Sequence, residues 1–149
     1  MGQGWGETIA SIILQESFAG HKKFTDNGII IGDKNNQGKP KSLGIMQVQL
    51  PAAKDVGRWY PEVFKDKFGD RNPSDEELLI ALLIDYRFNI HIGTHYFLKM
   101  LEIKQNWRQA ILAYNRGANN NGIDYNGYVN KVLNWRLNTV LKLIKEDKI

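Results

Sequence analysis

The sequence contains no cysteine, which excludes a disulfide frame, a thiolate nucleophile and a Cys-ligated zinc. It has no apolar run of membrane-spanning length. The longest, Leu78 to Ile84, falls far short of the ~20 residues that a spanning helix needs. Neither G-x-x-x-x-G-K-[ST] nor G-x-G-x-x-G occurs, so nucleotide binding has no support. Charge of one sign is barely in excess: 20 Lys and Arg against 16 Asp and Glu leave +4, with a pI of about 9.2. That balance suits an anionic partner but is too mild to indicate nucleic acid. The N-terminal MGQGWGET lacks the basic segment and apolar core of a signal peptide, and position 6 is Gly where myristoylation wants Ser or Thr. Export would then follow removal of a leader or another route, or the chain is a domain excised from a larger parent.

What is present is helical periodicity. A chain of 149 residues is large enough for one domain with a real core, here taken as 1–149. Ile9, Ile12, Ile13 and Glu16 recur at i, i+3, i+4 and i+7, so a helix ending near Ala19-Gly20 carries Glu16 on its aliphatic face. A glutamate held there has its charged form disfavoured and can serve as an acid. On periodicity alone, a solvated and inert position at the rim of the stripe is the default. Turn residues then flank Ile29-Ile30-Ile31, and a second extended piece runs from Pro40 to Val48, giving a small irregular β insert near residues 26–48. Pro51 opens a helix, Gly57 and Pro61 break the chain into short pieces, and Ser74 with Glu77 forms a capping box. A central helix is predicted over 85–104, and another from Asn106 as N-cap to a stop at Gly117. A last helix, about 126–146, places Val129, Val132, Leu133, Leu137, Val140, Leu141 and Ile144 on one face. The fold class is mainly α, with one small β-containing insert.

Several residues invite chemistry and have plainer explanations. His91 and His95 share a metal-binding i, i+4 spacing, but no HExxH and no nearby carboxylate at ligand spacing accompany them, so packing accounts for them. Ser17 and His21 lack the G-x-S-x-G elbow of a serine hydrolase. The scattered Trp and Tyr residues default to core, although sugar stacking uses the same side chains. No metal and no cofactor is expected.

Three clusters at element ends stand out: Glu16-Ser17, Ser42-x-Gly44-Ile45-Met46-Gln47, and Ala113-Tyr114-Asn115-Arg116-Gly117. With Tyr128-Val129 opening the last helix and Asn89-Ile90-x-x-Gly93-x-x-Tyr96-Phe97-Leu98 in the central one, their order resembles the catalytic domain of soluble lytic transglycosylases, in the lysozyme superfamily. The resemblance runs from about Ile9 to Leu133. It differs in a longer interval between Glu16 and Gly44, in Lys41-Ser42 replacing the usual Gly-Ala, and in lacking the usual acidic-Thr-Arg run before Tyr128. The Ser-x-Gly form is more similar to members attached to secretion machines or phages.

The resemblance implies a lysozyme-like fold and an enzyme that cleaves the MurNAc–GlcNAc β-1,4 bond of peptidoglycan, leaving 1,6-anhydro-MurNAc ends. It implies Glu16 as the single acid/base, with Ser17, Ser42, Gly44, Met46, Gln47, Tyr114, Asn115 and Tyr128 as substrate-binding residues. Glu16, Gln47, Tyr114 and Tyr128 are then expected to line one cleft beside the β insert. The implied partner is the peptidoglycan glycan strand, with neither nucleic acid nor a membrane span, in a larger parent protein or a secretion or phage machine. The implied place of action is the cell wall, periplasm or exterior. Two rivals stand beside this reading: a hydrolytic muramidase using Asp26 or Asp33 as second carboxylate, and a non-catalytic wall-binding assembly module.

Overall fold

The computed structural model describes residues 4–20 and 29–149. The chain divides into two compact units, Met1–Phe18 with Phe97–Ile149, and Ala19–Tyr96. Both are built mainly of helices, as a lysozyme-like fold requires.

In the first unit, α1 spans Trp5–Ser17. Ile9 and Ile12 are buried as the periodicity predicts, but Ile13 is only half-buried, and Thr8, Ser11 and Ser17 fill the rest of the inner face. Those hydroxyls are tolerated there because each bonds a carbonyl one turn back: Thr8 to Gly4 at 3.0 Å, Ser11 to Glu7 at 2.6 Å and Ser17 to Ile13 at 3.3 Å. The helix stops earlier than Ala19-Gly20. Phe18 already adopts the left-handed conformation at φ 50°, with its N–H on the Leu14 carbonyl. A non-glycine residue is costly in that conformation, and here Phe18 packs against Trp135 with ring centroids 5.5 Å apart.

The same unit contains the end of α5 (Tyr86–Lys104), α6 (Trp107–Arg116) and α7 (Tyr128–Trp135). Asn106 caps α6 by accepting from the Gln109 N–H at 3.0 Å, and Gly117 ends it at φ 83°. The predicted last helix is not one continuous α-helix. A π-helical segment, Arg136–Val140, separates α7 from a short α8, Leu141–Lys145. An extra residue in one turn rotates everything beyond it. Val129, Val132 and Val140 are therefore buried while Leu137 is 57% and Ile144 39% exposed, so the single apolar face expected for this helix is broken.

In the second unit, the described residues of the insert hold isolated antiparallel bridges, Ile31 with Leu43, Lys34 with Pro40 and Leu43 with Val48, rather than extended strands. The stretch read as extended through Val48 is instead a tight turn over 44–47, closed by reciprocal Leu43–Val48 backbone bonds of 2.9 Å. Gly44 at φ 70° and Gln47 at φ 52° cannot continue a strand. After it come α2 (Leu50–Trp59), α3 (Pro61–Phe68), α4 (Asp75–Ile84) and the start of α5. Pro51 sits in the first turn of α2 as predicted. Gly57 does not break that helix; a Cβ there would press on the Phe64 ring, so glycine is needed for packing. The capping box at α4 is present in both directions, and Arg71 grips Glu77 in a fork of 2.9 and 2.6 Å, holding that carboxyl down at about 2. Among the described residues no helix is long and apolar enough to cross a membrane.

Candidate active site

Glu16 lies in the last turn of α1, half-buried, and Tyr128 is the first residue of α7. The Tyr128 hydroxyl donates to Glu16 Oε1 at 2.5 Å across a sequence separation of 112. That length is typical of a hydroxyl bonded to a carboxylate, about 2.5–2.7 Å. Tyr128 is only 6% exposed. Its burial pushes the phenol pKa well above the ordinary value, and the negative charge of Glu16, the bond donated to it and the neighbouring Tyr114 push the same way. Tyr128 is therefore a permanent donor at neutral pH. Tyr114, half-buried near the end of α6, belongs to the same group, and Asn115 next to it is exposed.

Periodicity and motif order pass over Asp124, which sets this arrangement. Its Oδ1 accepts from the Tyr128 N–H at 2.8 Å and its Oδ2 from the Val129 N–H at 2.9 Å. Both are free helix-start donors, and a carboxylate suits the positive end of the helix. The turn that brings Asp124 back onto α7 passes through Gly127 in the left-handed conformation at φ 64°. The signal available was an acid a few residues before a Tyr-Val helix start. Asp124→Ala is expected to cost about 0.5–2 kcal/mol, as loss of an N-cap does. A thermal melt beside Asp124→Asn, which keeps one acceptor, checks it: the Asn form should recover part of the loss.

The 42–47 cluster belongs to the other unit. Ser42 is half-buried, and its carbonyl accepts from the Gly32 N–H at 2.8 Å. Gly44 takes φ 70°, and a Cβ on it would strike the Asn89 amide and the Leu82 carbonyl. Met46 is fully buried, and Gln47, 8% exposed, donates from Nε2 to the Gly44 carbonyl at 2.9 Å. Asn89 supports this turn and had no role assigned from sequence. Wholly buried on α5, its Oδ1 accepts from the Met46 N–H at 2.9 Å, while Nδ2 donates to the Leu43 carbonyl at 2.8 Å and the Leu82 carbonyl at 3.0 Å. Removing it takes the acceptor from the Met46 N–H and a donor from the Leu43 and Leu82 carbonyls, the first of which keeps the Val48 N–H, at about 3 kcal/mol in all. Asn89→Ala is expected to lower the melting temperature by roughly 10 °C, since about 1 kcal/mol shifts a chain of this size by 2–4 °C. A calorimetric scan showing less than a few degrees would mean that water replaces the amide.

The remaining candidates have structural explanations. Ser17 is wholly buried with its hydroxyl on the Ile13 carbonyl. His95 Nδ1 lies 2.9 Å from the His91 carbonyl oxygen, and the two rings meet edge to face. Asp33 is exposed, while His21 and Asp26 lie outside the described residues. Among the described residues no cluster of three or more His, Asp or Glu side chains could hold a metal ion.

Comparison with curated proteins and with solved structures finds no match. The family model described as the transglycosylase SLT domain matches residues 1–135, and the chain therefore belongs to that family of transglycosylases, which act on peptidoglycan.

Proposed function

We propose that the chain is a lytic transglycosylase that cleaves the MurNAc–GlcNAc β-1,4 bond, with Glu16 as its only acid and base. The observation that carries this reading is the 2.5 Å bond from the buried Tyr128 phenol to the Glu16 carboxyl. A helix-end carboxylate reached by a buried donor from a distant helix is poorly explained as a surface residue. It also speaks against a purely wall-binding module, which needs no such pair.

In the reaction, the protonated Glu16 gives its proton to the glycosidic oxygen as the C1–O bond breaks, and the bonding electrons leave with the GlcNAc oxygen. The N-acetyl group of MurNAc stabilises the positive charge at C1. Glu16, now a carboxylate, takes the proton of the C6 hydroxyl while that oxygen bonds to C1. The proton count closes, and no water is consumed. Tyr128 holds the Glu16 carboxyl by Oε1 and so fixes its position for both transfers. In this reading Tyr114 and Asn115 on the unit that carries Glu16 are substrate-binding residues, and so are Ser42, Gly44 and Gln47 on the other unit. Gln47 offers an amide to an N-acetyl group, a neutral polar partner of the right kind. Met46 and Ser17, being wholly buried, act through packing beneath the contact residues. Action on the cell wall calls for the periplasm or the exterior, and in this reading a larger parent protein or a phage or secretion machine carries the enzyme there.

Tyr128→Phe tests the pair. Loss of a hydrogen bond to a charged group costs about 1.5–3 kcal/mol, or roughly 10–100-fold in rate where it positions the acid. The lost donor stabilised the ionised carboxyl, so the basic limb of the pH–rate profile should move upward. The stability profile gives a second reading. A phenol whose pKa is raised by folding contributes stability that is full below about pH 10 and is lost as pH rises through its folded value. Tyr128→Phe should lack that alkaline loss. An unshifted basic limb with near-parental rate would remove Tyr128 from the site.

A further inference from the structure

On the unit that carries Glu16, the side chains of Gln15, Lys131, Asn134, Trp135, Asn138 and Thr139 surround an open cavity of about 300 Å³. Ligand sites occupy roughly 300–1,000 Å³, so this one has room for a single small ring. Its aromatic wall is fixed from two sides. Trp135 Nε1 donates to Gln15 Oε1 at 3.2 Å, and Phe18 packs on the indole at 5.5 Å between centroids. An indole N–H can only donate, so the bond also fixes which end of the Gln15 amide faces it and leaves the NH₂ group available. Among the described residues, the side chains of Lys131, Asn134, Asn138 and Thr139 make no hydrogen bond or ion pair within the protein. Lys131, Asn134, Trp135 and Asn138 recur at i, i+3, i+4 and i+7, a spacing that elsewhere in the chain carries aliphatic residues. The π segment places polar Asn138 and Thr139 at this cavity while Leu137 points to solvent. Such inserted turns recur at functional sites. Gln15 projects about 100° around α1 from Glu16, so the cavity opens on a different flank of the helix from the acid.

We propose that this cavity is a second glycan-binding site that takes one N-acetylated sugar residue bearing an acidic peptide, as a MurNAc residue with its stem does. The proposal rests on the peptidoglycan reading given above. The indole face receives the apolar face of the ring, the amides of Gln15, Asn134 and Asn138 meet hydroxyl and acetamido groups, and Lys131 meets a stem carboxylate. The site holds a strand without cleaving it.

The test is an NMR titration of the full chain carrying Glu16→Gln, following the indole N–H signals of its four tryptophans. Trp135→Phe identifies the relevant signal. Should that variant not fold, Gln15→Met identifies it by removing its acceptor. N-acetylmuramyl dipeptide is expected to move the Trp135 signal, and Lys131→Met should weaken that binding roughly two- to fivefold, as expected for an exposed ion pair. Chitotetraose, which has acetamido groups but no carboxylate, should move the same signal with an affinity indifferent to Lys131→Met. A Trp135 signal that stays still up to the solubility limit of both ligands overturns the proposal. So does muramyl dipeptide binding at Trp135 that Lys131→Met leaves unchanged. If Glu16→Gln remains lytic, the assignment of the acid fails while the Trp135 titration still decides this site.

Discussion

Glu16→Gln should retain the fold and lose wall lysis by about 10³-fold or more, because in the proposed reaction one carboxyl supplies both proton transfers and each is typically worth 10²–10⁴-fold. The amide matches the carboxyl in shape, and its oxygen can still accept from the Tyr128 hydroxyl, so the contact between α1 and α7 has no reason to open. What disappears is the proton. An amide neither protonates the leaving oxygen nor accepts the C6 hydroxyl proton, and the loss therefore falls on the chemical step. Clearing of purified peptidoglycan measures the rate, and a thermal melt beside it establishes that the variant is folded. A melt within a few degrees of the parent combined with lost clearing is the expected pair of results. Clearing at near-parental rate would place the acid elsewhere and leave the Tyr128–Glu16 bond as a structural pin.

How much of this was legible in the sequence depends on how local each determinant is. The Ser74 and Asn106 caps and Pro51 act within one helical turn, and each stands where reading the sequence puts it. Gly57 was misread as a breaker because its reason is the Phe64 ring packed against it, a contact that no local rule contains. The 44–47 turn looked extended because Ile45 and Val48 are strand formers; the φ values of Gly44 and Gln47, and the buried amide of Asn89 beneath them, decide otherwise. The π segment is hidden for a related reason. The apolar spacing from Val129 to Ile144 fits a continuous helix, and only packing of the folded chain shows where the register shifts. In the candidate site, the family resemblance implied that Glu16 and Tyr128 share a cleft, and the bond between them is a finding of the fold; nothing implied Asp124, since an acid before a helix is common and its two bonds are visible only in three dimensions.

The products should carry 1,6-anhydro-MurNAc ends, essentially without reducing MurNAc. A glycosidase of the usual hydrolytic kind sets two carboxylates roughly 5–9.5 Å apart, one to protonate the leaving group and one to attack or to activate water. Among the described residues the Tyr128 hydroxyl reaches Glu16, while the nearby Asp124 carboxylate is occupied by the Tyr128 and Val129 N–H groups at the start of α7; the two further acids of the insert read as turn formers from their sequence. Asp26 precedes Asn27-Gly28, and Asp33, which is exposed, follows Gly32. If Glu16 is the only acid and base, as proposed, the nucleophile must come from the substrate, and the C6 hydroxyl of MurNAc is tethered to the carbon it would attack. An intramolecular nucleophile can reach an effective concentration of about 10⁵ M or more, enough to outrun a water that nothing positions. Mass spectrometry of an exhaustive digest reads the outcome directly, because an anhydro end is lighter than a reducing end by one water. Borohydride reduction supplies an independent check, since only reducing ends change mass. A digest dominated by reducing MurNAc, with activity abolished by Asp26→Asn or Asp33→Asn, would instead establish a muramidase with that aspartate as its second carboxylate.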